Sequence, residues 1–439
     1  MSTESQETLE LYKQFVVPNY GRFDLRLARG EGTRVWDEEG NEYLDFGAGI
    51  AVCSIGHCHP RVVAALTKQL GTLVHTSNLY YTRPQALLAQ RLVGCVGHPG
   101  KIFFCNSGAE ANEALYKIAR KFGNECEPPP PLHTVGELVS TERNRFEIIT
   151  FEQSFHGRTL AGISATGQEK VKKGFEPMVQ GFVTVPFNDT PALLAAITPR
   201  TIAILLEPIQ GESGIKPATA RFLQDVRDIC DKHGLLMMLD EVQCGLGRTG
   251  DWCGWKTIAG HQLIPDAVSW AKGIAGGFPL GAVWVRDKQV RLKAGTDISL
   301  ADLLGPGSHG TTFGGTPLVC SGANEVLAVI ESEGMLENAR VLGAHAMEVL
   351  KSISSPLIKE VRGVGLMIGI ELVEDFSSRI KLQDSRSPSI LMVNLLHEAR
   401  LLTVPSGTHA IRWLPPLNVT RGEIDRAVDI LNGVLQRIS

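Results

Sequence analysis

The chain has 439 residues, of which 43% are hydrophobic and 21% are charged, and its formal net charge is −4. This composition is typical of a soluble globular protein, and the lack of a Lys/Arg-rich block argues against a nucleic-acid or membrane-surface partner. No run approaches the roughly 20 apolar residues of a membrane span, and the polar N-terminus does not resemble a secretory signal. Because the nine cysteines form no C-x-x-C pair, we expect reduced thiols, no metal site and a cytoplasmic enzyme.

In chain order, the first predicted element is a hairpin, "TRVWDEEGNEYLDF" (33–46), with its turn at "EEGN". Seven short apolar runs follow, and we predict that they are strands buried on both faces of a mostly parallel sheet. These runs are 101–106, 146–151, 182–187, 201–208, 234–241, 266–272 and 280–285. Amphipathic helical patterns lie between them at 108–122 and 218–233. This alternation predicts a large α/β domain over 61–335.

The stretch 124–145 contains four consecutive prolines, which fit neither a helix nor a central strand, so we predict a surface insertion there. After residue 335 the pattern changes to a helix at 334–354, several short strands and a final helix. The final helix begins with a Thr followed by a Glu three residues later, which is a capping box. We expect segments 1–60 and 336–439 to pack together as a small α+β domain beside the large one.

Lys272 stands alone in "VSWAKGIAGGFPLGA" (268–282), after an apolar strand and before a run of glycines. Ligands of open α/β sheets bind beyond the carboxyl ends of the strands. Burial lowers the pKa of a lysine amine and makes it nucleophilic, as a Schiff base requires. The alternative interpretation is a lysine whose amine simply reaches solvent past the strand.

Asp240 ends the apolar run "LLMMLDE", where a carboxylate needs a partner. A protonated pyridine nitrogen is one such partner, because the acid keeps the ring charged as an electron sink; a helix N-cap role is the other interpretation. The stretch "FFCNSGAEANEALYKIAR" places Ser107, Gly108 and Ala109 where a strand gives way to a helix. Free N–H groups at such a helix start can bind phosphate.

Three further stretches carry groups that suit a flat cofactor and anionic substrates. In "SFHGRTL", Phe155 could stack on a ring and Arg158 could bind a carboxylate. In "GSHGTTFGG", Thr311 and Thr312 could donate to a phosphate or a carboxylate. Arg412 in "HAIRWLPPL" lies between apolar residues, where a guanidinium requires an anion. With the lysine, the acid and the helix start, these residues describe a pyridoxal phosphate site.

Across nearly its whole length the chain resembles the class III aminotransferases of fold type I, and within them the acetylornithine-type enzymes. The resemblance is carried by "YLDFGAGIAV", "GHCHP", "SNLYY", "CNSGAEANEA", "SFHGRTLA", "SATGQEK", "EPIQGE", "DEVQCGLGRTG", "AKGIAGGFPLGA", "GSHGTTFGGTPL" and "IRWLPPL". It implies a large α/β domain with a mostly parallel sheet, a small α+β domain built from both termini, a homodimer and pyridoxal 5′-phosphate as the cofactor.

The resemblance also implies how the cofactor is held. Lys272 would form the Schiff base and move the proton, Asp240 would pair with the pyridine nitrogen, and Gln243 would contact the ring hydroxyl. The remaining cofactor contacts would come from Ser107, Gly108, Ala109, Phe155, Glu241, Val242 and, from the other subunit, Thr312.

For the substrates, the resemblance implies that Thr311 lies near the reacting molecule and that Arg158 holds a substrate carboxylate. Arg412 would hold the α-carboxylate of glutamate and 2-oxoglutarate. Glu212 would pair with Arg412 when the amino donor is bound, so that one site accepts two differently charged molecules.

The implied reaction moves the terminal amino group of N2-acetyl-L-ornithine to 2-oxoglutarate, a step of arginine biosynthesis. Ile50 stands where ornithine aminotransferases have tyrosine, which disfavours free ornithine. Another ω-amino donor remains an alternative: ornithine, succinylornithine, N-succinyl-diaminopimelate or 4-aminobutyrate. A pyridoxal-dependent epimerase and a non-catalytic relative are further alternatives, and the presence of Lys272, Asp240 and Arg412 argues against both.

Overall fold

The computed structural model describes residues 3–127, 145–380 and 385–439. It shows a mixed α/β protein with one large, mostly parallel sheet of seven strands, which confirms the predicted fold class. The helix before the proline-rich stretch runs to Glu125, two residues into the predicted insertion, and positions 128–144 of that insertion lie outside the described residues. Within the described ranges, no helix is both long enough and apolar enough to cross a membrane.

The strands and helices are numbered in chain order. The strands are β1 (Leu27–Glu31), β2 (Arg34–Asp37), β3 (Glu42–Asp45), β4 (Gly100–Cys105), β5 (Glu147–Phe151), β6 (Phe182–Val185), β7 (Thr201–Leu206), β8 (Ile209–Gln210), β9 (Lys216–Pro217), β10 (Leu236–Asp240), β11 (Ala267–Trp270), β12 (Gly281–Arg286), β13 (Gln289–Arg291), β14 (Asp297–Ser299), β15 (Ile358–Val364), β16 (Met367–Leu372), β17 (Leu401–Leu402), β18 (Val404–Ser406) and β19 (Ala410–Trp413). The α-helices are α1 (Thr3–Phe15), α2 (Ala48–Ala51), α3 (Pro60–Leu70), α4 (Arg83–Val96), α5 (Gly108–Glu125), α6 (Leu160–Ala165), α7 (Thr190–Ala195), α8 (Ala220–His233), α9 (Gly254–Ala259), α10 (Pro317–Ser332), α11 (Met335–Lys351), α12 (Phe376–Arg379), α13 (Pro388–Glu398) and α14 (Arg421–Ile438).

The seven predicted strands are the seven strands of the large sheet, in the order β4-β12-β11-β10-β7-β5-β6. All are parallel except β12, which is antiparallel to both of its neighbours. Only residues 271–280 join β11 to β12, and a parallel crossover needs a dozen or more residues. The short connection therefore reverses the direction of the chain, so β12 runs antiparallel to β11. Lys272, in this connection, stays close to the end of β11.

Both faces of this sheet are buried, as the continuous apolar runs predict. Every residue of β7 and β10 is buried, and alternate residues of each strand contribute to different hydrophobic clusters. Leu206 and Leu239 pack with residues of α8, whereas Leu205 and Met238 pack with residues of α5. The two predicted amphipathic helices thus cover opposite faces of the sheet.

The two chain termini meet in one sheet, as predicted. The N-terminal hairpin of β2 and β3 extends to β1 on one side, and on the other side β3 pairs in parallel with the C-terminal strand β17. The hydroxyl of Thr33 also donates to Glu423 at 2.5 Å. Helix α14 begins with the predicted capping box of Thr420 and Glu423. The domain boundaries near residues 60 and 335 stay a prediction.

Candidate active site

The carboxyl ends of four parallel strands lead into residues that were predicted to form the site. Asp240 is the last residue of β10, and Lys272 follows β11 by two positions. Phe155 lies in the segment after β5, and Glu212 lies in the segment after β7. Because β5, β7, β10 and β11 are adjacent and parallel, their carboxyl ends meet along one edge, where α/β sheets bind ligands.

Asp240 is 4% exposed and accepts hydrogen bonds on both of its oxygens. Oδ2 accepts from Asn112 Nδ2 at 2.7 Å and from His156 Nδ1 at 2.8 Å, and Oδ1 accepts from the Val242 N–H at 3.0 Å. Hydrogen bonds of this kind favour the charged form of a carboxyl group. A carboxylate oxygen has two acceptor sites, so Oδ1 can take a further donor such as a protonated ring nitrogen.

The sequence analysis did not select His156 or Asn112, although both lie in quoted motifs. His156 is 1% exposed and Asn112 is 2% exposed. A signal was available for Asn112, because it lies one turn after Gly108 on an amphipathic helix, at a position that faces the sheet. A polar residue on a buried helix face needs a hydrogen-bond partner, and Asp240 is that partner.

Lys272 begins a short 3-10 turn, Lys272–Ala275, and has a positive φ of 44°. Positive φ is uncommon outside glycine and clusters at functional sites. Burial lowers the pKa of the Lys272 amine below its usual value; the carboxylates of Glu212 and Asp240 oppose this effect, and the charge of Arg412 reinforces it. A desolvated amine with a lowered pKa is a suitable nucleophile.

The start of α5 packs directly on the segment that follows Asp240. Ser107 caps the helix, and its hydroxyl accepts from the Glu110 N–H at 3.2 Å. A Cβ at Gly108 would lie 2.8 Å from Val242 Cγ1, so this position needs glycine. The N–H groups of Gly108 and Ala109 have no acceptor within the helix. They are therefore available to an anion at this helix start.

Arg412, on β19 of the small domain, is 2% exposed and forms a bidentate ion pair with Glu212. Nη1 donates to Glu212 Oε1 at 2.7 Å and Nη2 donates to Oε2 at 3.0 Å. Burial raises the pKa of Glu212, but the charge and hydrogen bonds of Arg412 outweigh burial and the net shift is downward. Arg412 Nη1 also donates to Gln243 Oε1 at 3.0 Å. The Gln243 side chain, which was predicted at the ring hydroxyl, thus contacts the arginine.

Glu207, another residue that the sequence analysis did not select, joins two segments of the site. Its Oε1 accepts from the Phe155 N–H at 2.9 Å and its Oε2 accepts from the Gly211 N–H at 3.2 Å. Burial raises the pKa of Glu207 to about 7, while the charge of His156 acts in the opposite direction. One buried carboxyl group therefore fixes the backbone beside both Phe155 and Glu212.

Arg158 lies at the exposed side of the site. Its guanidinium carbon is 5.5 Å from the centroid of the Phe155 ring. Arg158 is exposed, and none of the carboxylates in the described ranges forms an ion pair with it. It is therefore available to a carboxylate that arrives from solvent.

Thr311 and Thr312 differ in their surroundings. The hydroxyl of Thr311 accepts from Asn106 Nδ2 at 2.8 Å, which places it beside the start of α5. Thr312 is exposed, and the structure brings it to none of the other predicted site residues of the same chain. Its predicted role in the other subunit stays a prediction.

Glu241, the second acid of "LDE", has different partners from Asp240. Its Oε1 accepts from the Trp255 N–H at 2.8 Å at the start of α9. Burial raises the pKa of Glu241 to about 8, because its few hydrogen bonds do not compensate for the loss of water. Within the described ranges, the groups that bind Asp240 are not among the hydrogen-bond partners of Glu241. The contact of Glu241 with the cofactor stays a prediction.

Ile50 lies in a tight turn, Ala48–Ala51, whose residues all have positive φ. This turn precedes Ser54, whose hydroxyl donates to the Gly273 carbonyl at 2.9 Å. Because Gly273 follows Lys272, the turn is tied to the backbone beside the lysine. Ile50 itself is 38% exposed.

The chain is similar over its full length to characterised proteins. It is 42% identical over 428 residues to the acetylornithine aminotransferase of Caldanaerobacter subterraneus subsp. tengcongensis, covering 97% of this chain and 98% of that protein. It is 41% identical over 439 residues to the acetylornithine aminotransferase of Methanocaldococcus jannaschii, covering 99% of each.

Solved structures show the same relationship. The ornithine aminotransferase of Toxoplasma gondii matches with a TM-score of 0.85 and 31% identity, covering 99% of this chain and 96% of that chain. The acetylornithine aminotransferase of Elizabethkingia anophelis matches with a TM-score of 0.79 and 30% identity, covering 98% and 99%. The family model for class III aminotransferases matches residues 15–435, which include every candidate site residue described above. The chain therefore belongs to the class III aminotransferases, a family that depends on pyridoxal 5′-phosphate.

Proposed function

We propose that this enzyme transfers the terminal amino group of N2-acetyl-L-ornithine to 2-oxoglutarate, giving N-acetyl-L-glutamate 5-semialdehyde and L-glutamate, within arginine biosynthesis. Similarity to acetylornithine aminotransferases over the full chain supports this donor. The observation that carries the proposal is that Glu212 covers Arg412 while Arg158 stands open. Such a site can bind the single carboxylate of N2-acetyl-L-ornithine at Arg158. It can bind the two carboxylates of 2-oxoglutarate at Arg158 and Arg412.

The residues present fit pyridoxal 5′-phosphate. Asp240 has an oxygen that can accept from the ring nitrogen, and Phe155 offers a flat face to the ring. The uncapped N–H groups of Gly108 and Ala109, with the Ser107 hydroxyl, suit the phosphate. When bound, the cofactor supplies a carbonyl carbon for the amino group and a ring that withdraws electrons. The protein groups fix its position and charge.

Lys272 serves as the nucleophile and as the group that moves the proton. Burial lowers the pKa of its amine, so Nζ can lose a proton to become nucleophilic and can later accept one from the substrate carbon. The turn that begins with its positive φ sets the direction of the side chain. The two half-reactions of a transfer use the same Nζ in opposite directions.

Glu212 and Arg412 distinguish the two substrates. With N2-acetyl-L-ornithine, whose reacting end carries only an amino group, Glu212 stays on Arg412 and neutralises it. With 2-oxoglutarate, the carboxylate next to the reacting carbon replaces Glu212 on Arg412. Glu212 also lines a polar cavity of about 380 Å³ that includes Lys216 and His409, which gives its carboxylate space to move.

We also propose a cytoplasmic homodimer. A set of large apolar side chains in one segment is exposed: Leu70, Leu73, Val74, Leu79, Tyr80 and Tyr81. Asn78 in that segment donates to the carbonyls of Thr311 and Gly314, so the patch adjoins the loop that carries the exposed Thr312. An apolar patch of this kind marks a protein interface, and a second copy would bring Thr312 to the partner's cofactor. All nine cysteines are unpaired, which suits a reducing compartment.

Ornithine is the second candidate donor, because ornithine aminotransferases are among the similar structures. Free ornithine carries a charged ammonium where the acetylated donor carries a neutral amide. Ile50, at the mouth of the site, has no polar atom in its side chain that could hold that ammonium. This difference favours the acetylated donor.

A half-reaction experiment tests the donor. The purified pyridoxal form is mixed with one donor at a time, and the loss of the cofactor's visible absorption is followed by stopped flow. We expect N2-acetyl-L-ornithine to react fastest, ahead of ornithine, succinylornithine, N-succinyl-diaminopimelate and 4-aminobutyrate. A faster reaction with ornithine would establish the second candidate, and no reaction with any donor would refute the proposal. Lys256→Ala is the control variant, because that lysine donates to the Cys95 carbonyl at 3.0 Å, outside the site.

A further inference from the structure

Asn112 is a buried residue at the cofactor end of the site whose hydrogen bonds are unusually complete. Its Nδ2 donates to Asp240 Oδ2 at 2.7 Å and to the His156 carbonyl at 3.0 Å. Its Oδ1 accepts from the Ser269 hydroxyl at 2.7 Å. One amide therefore joins α5, the end of β10, the segment after β5, and β11.

The Asp240 carboxylate and the His156 carbonyl determine which way the amide faces, and the Ser269 hydroxyl satisfies its oxygen. Ser269 lies on β11 directly beside Asp240 in the parallel register, and its side chain is fully buried. A carboxylate can only accept, so the amide nitrogen must face Asp240 and the amide oxygen must face a donor. Ser269 supplies that donor. Without it, the buried amide oxygen loses its hydrogen-bond donor, and the amide is held less firmly against Asp240.

This arrangement fixes the position of the acid through two charge-assisted hydrogen bonds to Oδ2, one from Asn112 and one from His156. A hydrogen bond donated to a carboxylate stabilises the charged form, and it is stronger than a bond between neutral groups. Asn112 also lies one turn after Gly108 on α5. The same helix therefore sets the distance between the proposed phosphate contacts and the proposed ring-nitrogen contact.

We propose that Asn112, supported by Ser269, is a positioning residue that holds the Asp240 carboxylate in the place needed to bind the cofactor's ring nitrogen. The inference rests on the proposed role of Asp240. It predicts that loss of the Asn112 amide weakens cofactor binding and shifts the pH titration of the bound cofactor's visible absorption. A structural role alone would change only the stability of the folded protein.

The test uses Asn112→Ala, Ser269→Ala and Ser269→Thr in the full chain. The dissociation constant of pyridoxal 5′-phosphate is measured by equilibrium dialysis, and the visible absorption of the bound cofactor is titrated against pH. We expect Asn112→Ala to weaken binding about 10- to 100-fold, the range for a hydrogen bond to a charged group. We expect the titration midpoint to move to higher pH, because the acid then draws the ring proton more strongly and the ring withdraws fewer electrons.

The serine variants separate the hydrogen bond of the hydroxyl from packing. Ser269→Ala should change both measurements in the same direction by a smaller amount, and Ser269→Thr, which keeps the hydroxyl, should restore both. Asn338→Ala is the matched control, since Asn338 donates to the Leu417 and Val419 carbonyls in the small domain. It should lower the melting temperature with no change in cofactor affinity or midpoint.

Asp240→Asn distinguishes this inference from the proposed function. If Asp240→Asn leaves cofactor affinity unchanged, the proposed role of Asp240 is wrong. If Asp240→Asn weakens binding but Asn112→Ala and Ser269→Ala bind with the original constant and midpoint, Asn112 is only structural and the inference is overturned. If Asn112→Ala does not fold, the contrast between Ser269→Ala and Ser269→Thr decides in the same way.

Discussion

The cofactor end and the substrate end of the site differ in how completely their polar groups are paired. At the cofactor end, Asp240 accepts on both oxygens and Asn112 uses both of its amide hydrogens, although His156 Nε2 has no partner among the described residues. At the substrate end, Arg158 is exposed, and Arg412 Nε has no partner among the residues that the structure describes. Groups as fully bonded as Asp240 and Asn112 hold one arrangement, whereas partly bonded groups can exchange partners. The first suits a permanent cofactor and the second suits alternating substrates.

The two ends also come from different parts of the fold. The cofactor end consists of strand ends and a helix start of the large sheet, which are fixed by backbone pairing on both sides of β10. The substrate end joins a loop of the large domain to β19 of the small one, through the Arg412–Glu212 pair and a bond from Ser406 to the Gly211 carbonyl at 2.9 Å. The hydrogen bonds of this second contact come from side chains, beside the packing of Ile209 and Ile215 with Met367 and Leu414, so the Arg412–Glu212 pair is the part that can respond to a ligand.

Replacing Lys272 tests the cofactor end and has the largest expected effect. We expect Lys272→Ala to lower kcat about 10⁴-fold, since one amine serves as nucleophile and as the proton-moving group. The measurement is steady-state transfer from N2-acetyl-L-ornithine to 2-oxoglutarate. Lys256→Ala, outside the site, should retain the original rate. Near-original turnover by Lys272→Ala would refute the assignment.

Replacing Arg412 tests the substrate end. Arg412→Lys keeps the charge but loses the bidentate geometry, and we expect KM for 2-oxoglutarate to rise about 100-fold, as for a lost buried ion-pair partner. The half-reaction with N2-acetyl-L-ornithine should change much less, because that donor leaves Glu212 in place. Equal damage to both half-reactions would mean that Arg412 does not separate the two substrates.

Replacing Glu212 also affects the two substrates differently, but with a smaller expected effect than replacing Arg412. Glu212→Gln keeps the shape but removes the charge that neutralises Arg412, so 2-oxoglutarate no longer competes with a carboxylate. We expect its KM to fall and the donor's KM to rise, with a combined change of about tenfold, the scale of one charge-assisted hydrogen bond. Glu371→Gln, which lines the same cavity but pairs with Arg362, serves as the control. If KM changes in the same direction for both substrates, Glu212 is not a switch.

The fold was largely predictable because its signals are local. Strands buried on both faces read as continuous apolar runs, and the capping box of Thr420 and Glu423 marks the start of α14 in the sequence itself. The antiparallel direction of β12 was not predicted, although the ten residues that join it to β11 are too few for a parallel crossover. The predicted runs 266–272 and 280–285 already left only seven residues between them, so the sequence itself carried this signal.

The site was predictable where one residue type carries the chemistry, as for Lys272 and Arg412. Residues that act through another residue gave no such signal. Asn112 lies 128 positions from its partner Asp240 and Glu207 lies 52 positions from its partner Phe155, so their roles depend on distances that only the folded chain creates. The different surroundings of Asp240 and Glu241 also follow from strand alternation, which points adjacent side chains to opposite faces.

That last contrast gives a prediction of another kind, a pH-dependent change in thermal stability. Burial raises the pKa of Glu241 from 4.5 in an unfolded chain to about 8 in the native one. The native state thus binds the extra proton, and stability from this group is present at low pH and lost as pH rises towards 8. The side chain in Glu241→Gln does not titrate. The free energy of unfolding of this variant, relative to that of the original protein, should therefore rise by roughly 1 kcal/mol per pH unit between pH 5 and pH 8. Its melting temperature relative to the original protein should rise over the same interval. The same comparison should be flat below about pH 4, under the unfolded pKa, and above about pH 9. A difference that does not vary with pH would show that Glu241 is charged in the native state, and the contrast with Asp240 would then fail.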